Sequence, residues 1–305
     1  MTRRRFMAIS AAALAASGPA HGAPIHQWRG VALGADASIT LAHDDAPAIV
    51  DRALREIARL ERVFSLHDAG SALALLNAAG RLDAPPFELL ECLGIAGTVH
   101  AATGGRFDPT IQPLWALYAQ ALSQGALPAA TEVSDRLRQV GWRRVGYAPA
   151  AVSLEPGMAL SLNGIAQGYI ADKVADLLRA EGLRDVLVNT GEFAAIGGDP
   201  RGGGWPVSLR AGAEVIPDAL RLQDAALASS APHAITFDEA GRVSHVLDPH
   251  SGQPAAARWR LITLRAPRAA LADALSTACC LMDRGTIETT LARFSGVDLV
   301  RAIAV

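Results

Sequence analysis

The chain has 305 residues, 50% of them hydrophobic and 19% charged, a balance that excludes intrinsic disorder and suits one large domain or two smaller ones. The formal net charge is −2 with no long basic run, which argues against nucleic acid as a main partner. At the N-terminus, Thr2-Arg3-Arg4-Arg5-Phe6-Met7 precedes an apolar run from Ala8 to Ala16, and small residues follow to Ala23. This is the basic, then apolar, then small-residue order of an export signal, and the paired arginines before Phe6 match the twin-arginine type. The run falls short of the roughly 20 residues that span a bilayer. Residues 1–23 are therefore expected to be a signal removed after Ala20 or Ala23, with the twin-arginine export machinery as a partner, residues 24–305 as the folded domain and the periplasm as its location. Three cysteines, Cys92, Cys279 and Cys280, read as small core residues.

Taken in order, residues 25–42 are strand material, clearest at Ser38-Ile39-Thr40-Leu41. Within them Ala32-Leu33-Gly34-Ala35 is either a backbone-lined pocket edge or a bend. Residues 46–64 form an amphipathic helix, with Ile49, Ala53, Ile57, Leu60 and Val63 toward the core. A turn from Ser65 to Ser71 contains His67, and Ser71 is expected to cap a short helix. Residues 86–103 make a further helix, opened near Pro86 and ended by Gly104-Gly105. The segment Arg106-Phe107-Asp108-Pro109-Thr110-Ile111-Gln112-Pro113-Leu114-Trp115 has two prolines and reads as an extended loop. Asp108 and Thr110 in it can be exposed, with Phe107 and Trp115 as anchors. A loop at 124–128, a short helix, and a hairpin over 142–147 and 151–154 lead to the central stretch.

That stretch runs from Ala159-Leu160-Ser161 through Asn163-Gly164-Ile165-Ala166-Gln167-Gly168-Tyr169 to Asp172. Ala159 to Ser161 reads as a strand end, Asn163 as a helix N-cap, and Ile165, Tyr169, Ile170, Val174, Leu177 and Leu178 recur at helical spacing. It is either a turn that lets a ligand approach the backbone and open helix amides or a tight strand–helix turn with glycine for packing. Residues 185–189 form a buried strand that breaks at Thr190-Gly191-Glu192, a carboxylate over a crevice or a solvated turn. Short strands fill 205–246 around a tip at Gly202-Gly203-Gly204. His245 and Asp248 leave the last of these, and Pro249 to Pro254 form a rigid turn. A strand at 261–265 precedes an apolar helix at 272–283. Asp273 and Thr277 share one face of that helix. They can give two oxygens to Mg²⁺, or serve the helix dipole and bond back to the backbone.

The motifs together, in this order, resemble the ApbE-type FAD:protein FMN transferases over nearly all of residues 24–305. They are Ala32 to Ala35, Ser65 to Asn77, Gly105 to Leu114, Leu162 to Asp172, Thr190 to Glu192, His245 to Pro254 and Ala272 to Ala278. The arginine pair and Asn-Gly-Ile-Ala-Gln-Gly-Tyr look most like the NosX-type members. The resemblance implies an α+β fold, a T-fold-like, two-lobed architecture of mixed sheets with flanking helices and FAD in the cleft. It implies transfer of FMN from FAD to a Thr or Ser hydroxyl of an exported or membrane flavoprotein, NosR-like in type, with release of AMP. Mg²⁺ would be held by Asp273, Thr277 and the backbone of Gly164. FAD contacts fall on Leu33, His67, Phe107, Asp108, Thr110, Ser161, Gln167, His245 and Val246. His245, as the group that takes the acceptor's proton, and Asp273 would be catalytic. Departures from the family pattern are Ser161 where Asp is usual, Gln167 for Lys, His67 for Tyr and Ala231 for Gly. The alternatives are an exported FAD or FMN carrier without catalysis and a Mg²⁺-dependent FAD pyrophosphatase.

Overall fold

Strands β1 (Ile25–Ala32) and β2 (Ala35–Ala42) form a hairpin whose two-residue turn is Leu33-Gly34. The computed structural model describes residues 24–211, 214–217, 219–233, 236–237 and 243–305. The expected export signal at residues 1–23 lies outside them. Helix α1 (Ala46–Phe64) follows with the predicted bounds, and Ile49, Ala53, Ile57, Leu60 and Val63 are all buried. Next come α2 (Ala72–Ala79), capped by the Ser71 hydroxyl, β3 (Arg81–Asp83) and α3 (Phe87–Ala102). The chain continues through α4 (Gln112–Ser123), α5 (Ala130–Leu137) and the hairpin β4 (Gly146–Ala148) and β5 (Ala151–Ser153). Helix α6 (Ala166–Ala180) is followed by the hairpin β6 (Val186–Asn189) and β7 (Phe193–Ile196).

Four short strands come next: β8 (Trp205–Val207), β9 (Arg210–Ala211), β10 (Glu214–Val215) and β11 (Leu220–Leu222). The chain ends with β12 (Ala226–Ser230), β13 (Trp259–Ala266), α7 (Ala269–Cys279), α8 (Arg284–Leu291) and β14 (Asp298–Ala304).

The main sheet has seven strands in the order β1-β2-β6-β7-β12-β13-β14. Its pairings are antiparallel throughout rather than mixed, because neighbours are joined by short turns or by excursions that return the chain from the opposite end. The class is the expected α+β. Both faces of the sheet are covered. In β6, Val186 and Val188 face the helical core, and Leu187 faces a second core with Trp205, Val207 and Leu222 from the short strands. That two-sided burial explains the continuous apolar run at this strand. A third cluster joins Leu114, Tyr118 and Val133 to Phe237 and Leu247.

Three local expectations are corrected. The two prolines of 106–115 do not make an extended loop. Pro109 opens a single 3₁₀ turn and Pro113 sits in the first turn of α4, where a missing amide is tolerated. Residues 159–161 are not a strand: the Asn77 side chain substitutes for a partner strand, donating from Nδ2 to the Leu160 carbonyl at 2.8 Å and accepting the Leu160 amide at 2.7 Å. Asn163 does not cap α6; it lies in a turn and the helix begins at Ala166.

Leu160 is fully buried, so its backbone groups have no recourse to water once Asn77 is removed. Replacing Asn77 with Ala is expected to destabilise the protein by about 2–3 kcal/mol, read as a lower urea midpoint with an unchanged slope.

Candidate active site

The site is built where α6 meets α7. A Cβ placed at Gly168 would fall 2.4 Å from the Ala269 carbonyl oxygen, so only glycine allows this approach. The Gly168 amide donates to Asp273 Oδ2 at 3.1 Å. Four residues earlier, in the turn that precedes α6, a Cβ at Gly164 would lie 2.9 Å from Thr277 Oγ1 and 3.4 Å from a ring carbon of Phe107. The structure thus brings Gly164, Asp273, Thr277 and Phe107 together. Helix α7 starts at Ala269 rather than 272, so Asp273 stands in its second turn and does not serve as the helix cap.

The electrostatics of this corner are unusual. Asp273 is buried, and burial pushes its carboxyl up to about 7; the Gly168 amide opposes that rise and the Asp172 charge adds to it. Glu192 is not a solvated turn residue. It is buried, accepts the Ser229 amide at 3.0 Å, and is raised well above the usual carboxylate range by burial and by Asp273. Among the described residues no arginine or lysine pairs with either carboxyl. Hydroxyls cluster on the α7 side of this corner instead. Ser230 Oγ lies 2.6 Å from Ser276 Oγ and 3.4 Å from Thr277 Oγ1, and Ser276 Oγ donates to the Asp273 carbonyl at 3.0 Å. Buried carboxylates without a cation, flanked by oxygen ligands, have the donor chemistry of a hard divalent ion site.

Of the remaining predicted contacts, Asp108, Thr110, Ser161 and Gln167 lie on the segments that adjoin this corner. Asp108 and Thr110 are 8% and 0% exposed, not solvent-facing. Asp108 Oδ1 accepts the Thr110 amide and hydroxyl, Oδ2 accepts the Trp142 amide, and Thr110 Oγ1 accepts the Gly141 amide. Their side chains therefore shape the loop that carries Phe107. Ser161 joins that loop to the central stretch by donating its amide to the Pro109 carbonyl at 2.8 Å. The Gln167 side chain lies against Gly191, and the Gln167 carbonyl accepts the Thr190 hydroxyl at 2.8 Å.

His245 and Val246 lie beside the residues that follow β12. His245 Nδ1 is 3.2 Å from the Pro232 carbonyl, two residues beyond Ser230, and the Val246 amide donates to Ser244 Oγ. A Cβ at Gly105 would lie 3.0 Å from His250 Nε2, so the 245–254 turn rests on the loop before Phe107. Leu33 and His67 lie instead at the C-terminal end of α1. Leu33 has φ 47°, a conformation rare for a side chain of its size, and its amide donates to Glu61 Oε1 at 2.6 Å. His67 sits in a turn held by the Ser65 hydroxyl. The Phe64 and Tyr169 rings, 5.3 Å apart, connect this end to α6.

The sequence pattern left Asp172 and Ser230 without roles. The signal for Asp172 was present: it falls seven residues after Ile165 on the apolar stripe of α6, where a carboxylate needs a reason. Ser230 had no comparable signal, since its hydroxyl partners come from α7.

The sequence model of the ApbE family matches residues 33–300. An FAD:protein FMN transferase of Treponema pallidum is 32% identical over 281 residues, covering 82% of this chain and 77% of that protein. One of Klebsiella pneumoniae is 29% identical, covering 75% and 74%. Among solved structures, the apo form of the Pseudomonas stutzeri flavinyl transferase ApbE superposes with a TM-score of 0.80 at 21% identity, covering 94% of this chain and 96% of that one. The ApbE protein of Thermotoga maritima gives 0.82 at 24% identity, covering 92% and 94%.

A carboxyl whose pKa is raised by folding stabilises the fold fully below its unfolded value, and that contribution is lost as pH rises through the folded value. With Asp273 and Glu192 raised and Asp172 raised to about 6, the chelator-treated protein is expected to melt at a higher temperature at pH 5 than at pH 8. Asp273→Asn should flatten that dependence, by the equivalent of roughly 1–3 kcal/mol, in melts followed by circular dichroism.

Proposed function

Because the chain belongs to the ApbE family, we propose that it is an FAD:protein FMN transferase that moves FMN from FAD to a Thr or Ser hydroxyl of an acceptor protein and releases AMP. The observation that carries this is the meeting of Gly164, Asp273 and Thr277 beside a second buried carboxyl. A protein that only carried flavin would have no use for it. In this reading the Asp273 carboxylate, the Thr277 hydroxyl and the Gly164 backbone hold Mg²⁺. When bound, the ion would neutralise the pyrophosphate and polarise its phosphorus–oxygen bonds.

The protein's own groups do the rest. The Ser230–Ser276 pair keeps the Thr277 hydroxyl in place. Phe107, held on the loop pinned by Asp108 and Thr110, closes one wall against Gly164. His245 is the proposed base. A carbonyl oxygen only accepts, so the contact with Pro232 is made through a proton on Nδ1 and orients the ring. In this reading the imidazole takes the acceptor hydroxyl's proton as its oxygen attacks phosphorus.

Export belongs to the same proposal. The arginine pair and apolar run of residues 1–23 would deliver the chain through the twin-arginine machinery to the periplasm, where an exported or membrane flavoprotein, NosR-like in type, would be the acceptor.

The test is intact-mass analysis of a flavin-acceptor domain incubated with this protein, FAD and Mg²⁺. An FMN adduct on a Thr or Ser is expected, and Asp273→Ala should abolish it. Bound, unchanged FAD with no adduct would instead mark a carrier, and free FMN with AMP a pyrophosphatase. His245→Ala should lower the transfer rate by about 10²–10⁴-fold with FAD affinity nearly unchanged; a rate equal to the parent's would remove His245 from the mechanism.

A further inference from the structure

Contacts with α7 fall at steps of four along the chain from Gly164, in the turn before α6, into α6 itself. Gly164 meets Thr277, Gly168 meets Asp273, and Asp172 meets Ala269. As the numbers rise on one helix they fall on the other, so the two run antiparallel with one face of each in register. The last rung is the only one closed by two hydrogen bonds. Asp172 Oδ1 accepts the Ala269 amide at 2.8 Å and Oδ2 accepts the Ala270 amide at 3.0 Å. These are the first two residues of α7, whose amides have no partner within the helix. The flanking residue, Arg268, gives no side-chain cap.

We propose that Asp172 is a positioning residue for the site: by capping α7 from within α6, it sets the register that brings Asp273 and Thr277 to Gly164. This inference rests on the divalent-ion reading of that corner. Two further observations favour a positioning role over simple capping. Asp172 is only 4% exposed, and a buried carboxylate is an expensive cap when a Ser or Asp at position 268 would serve the helix from the surface. Arg268 also reaches across at the mouth, with Nε 3.4 Å from Asp172 and its other nitrogens 2.7 and 2.6 Å from the two oxygens of Asp176 on α6. The start of α7 is thus tied to α6 at adjacent turns. A slip of one residue would move α7 about 1.5 Å along its axis and turn it about 100°, carrying Thr277 away from Gly164.

The experiment measures Mn²⁺ binding to the full-length protein by electron paramagnetic resonance, without FAD or acceptor. Asp172→Asn and Asp172→Ser are compared with Asp283→Ala, which removes the side-chain cap of α8. Each is read below its own melting temperature. The Asp172 variants should bind Mn²⁺ about tenfold more weakly, and Asp283→Ala should melt earlier but bind as the parent does. Asp172→Ser keeps one acceptor for the helix amides and supplies the answer should Asp172→Asn not fold. Parent-like affinity, within about twofold, in a folded Asp172 variant overturns the inference and leaves the metal site standing. Absence of Mn²⁺ binding by the parent overturns both.

Discussion

The close approach of α6 and α7 is the constraint from which the rest of the site follows. Gly168 permits it, because any side chain there would collide with the Ala269 carbonyl. Once the helices touch, a backbone amide of one reaches a carboxylate of the other, and a glycine four residues earlier comes under a threonine hydroxyl. The sheet contributes by fixing what stands on either side. Helix α7 packs on β12 and β13, so Ser229 and Ser230 arrive from β12 beneath Glu192 and Thr277. The loops then add removable parts: Phe107 on one side, His245 on the other. On the proposed reading, rigid elements hold the oxygen ligands and loops hold the groups that face the flavin and the acceptor, a division that lets a scaffold be stiff and its specificity adjustable.

Much of this was legible in the chain. The period of Ile49, Ala53, Ile57, Leu60 and Val63 marked α1 to the residue, because an amphipathic stripe on a regular helix depends on local pattern alone. The spacing of Asp273 and Thr277 gave a shared face for the same reason. What failed were places where a distant side chain replaced local structure. Leu160 looked like strand because it is buried and apolar, yet Asn77, far away in sequence, satisfies its backbone. Asp108 and Thr110 looked exposed because they are polar. They are buried because they bond each other and the backbone near Trp142. Glu192 was ambiguous since its burial depends on β12, and no local signal carries that information. Polar residues beside glycine or proline are where sequence pattern is weakest, since tertiary partners decide whether water or protein satisfies them.

The charges at the centre impose an order on binding. Asp273 and Glu192 are both buried and raised, Glu192 in part by Asp273 and Asp273 in part by Asp172, with no described arginine or lysine paired to either. Ser161 and Gln167, the neighbouring polar residues of the central stretch, are neutral. An anionic pyrophosphate entering this corner would find no basic side chain paired there, and the same burial that favours the protonated carboxyls disfavours a further negative charge. On the proposed reading the divalent ion is therefore more than a Lewis acid. It would supply the positive charge that these groups lack, and nucleotide and cation would favour each other's binding, each lowering the free energy of the other by the same amount. The same logic explains why hydroxyls rather than basic side chains surround Thr277. A fixed cation there would compete with the metal for Asp273, whereas serine and threonine oxygens add ligands and orientation without opposing charge.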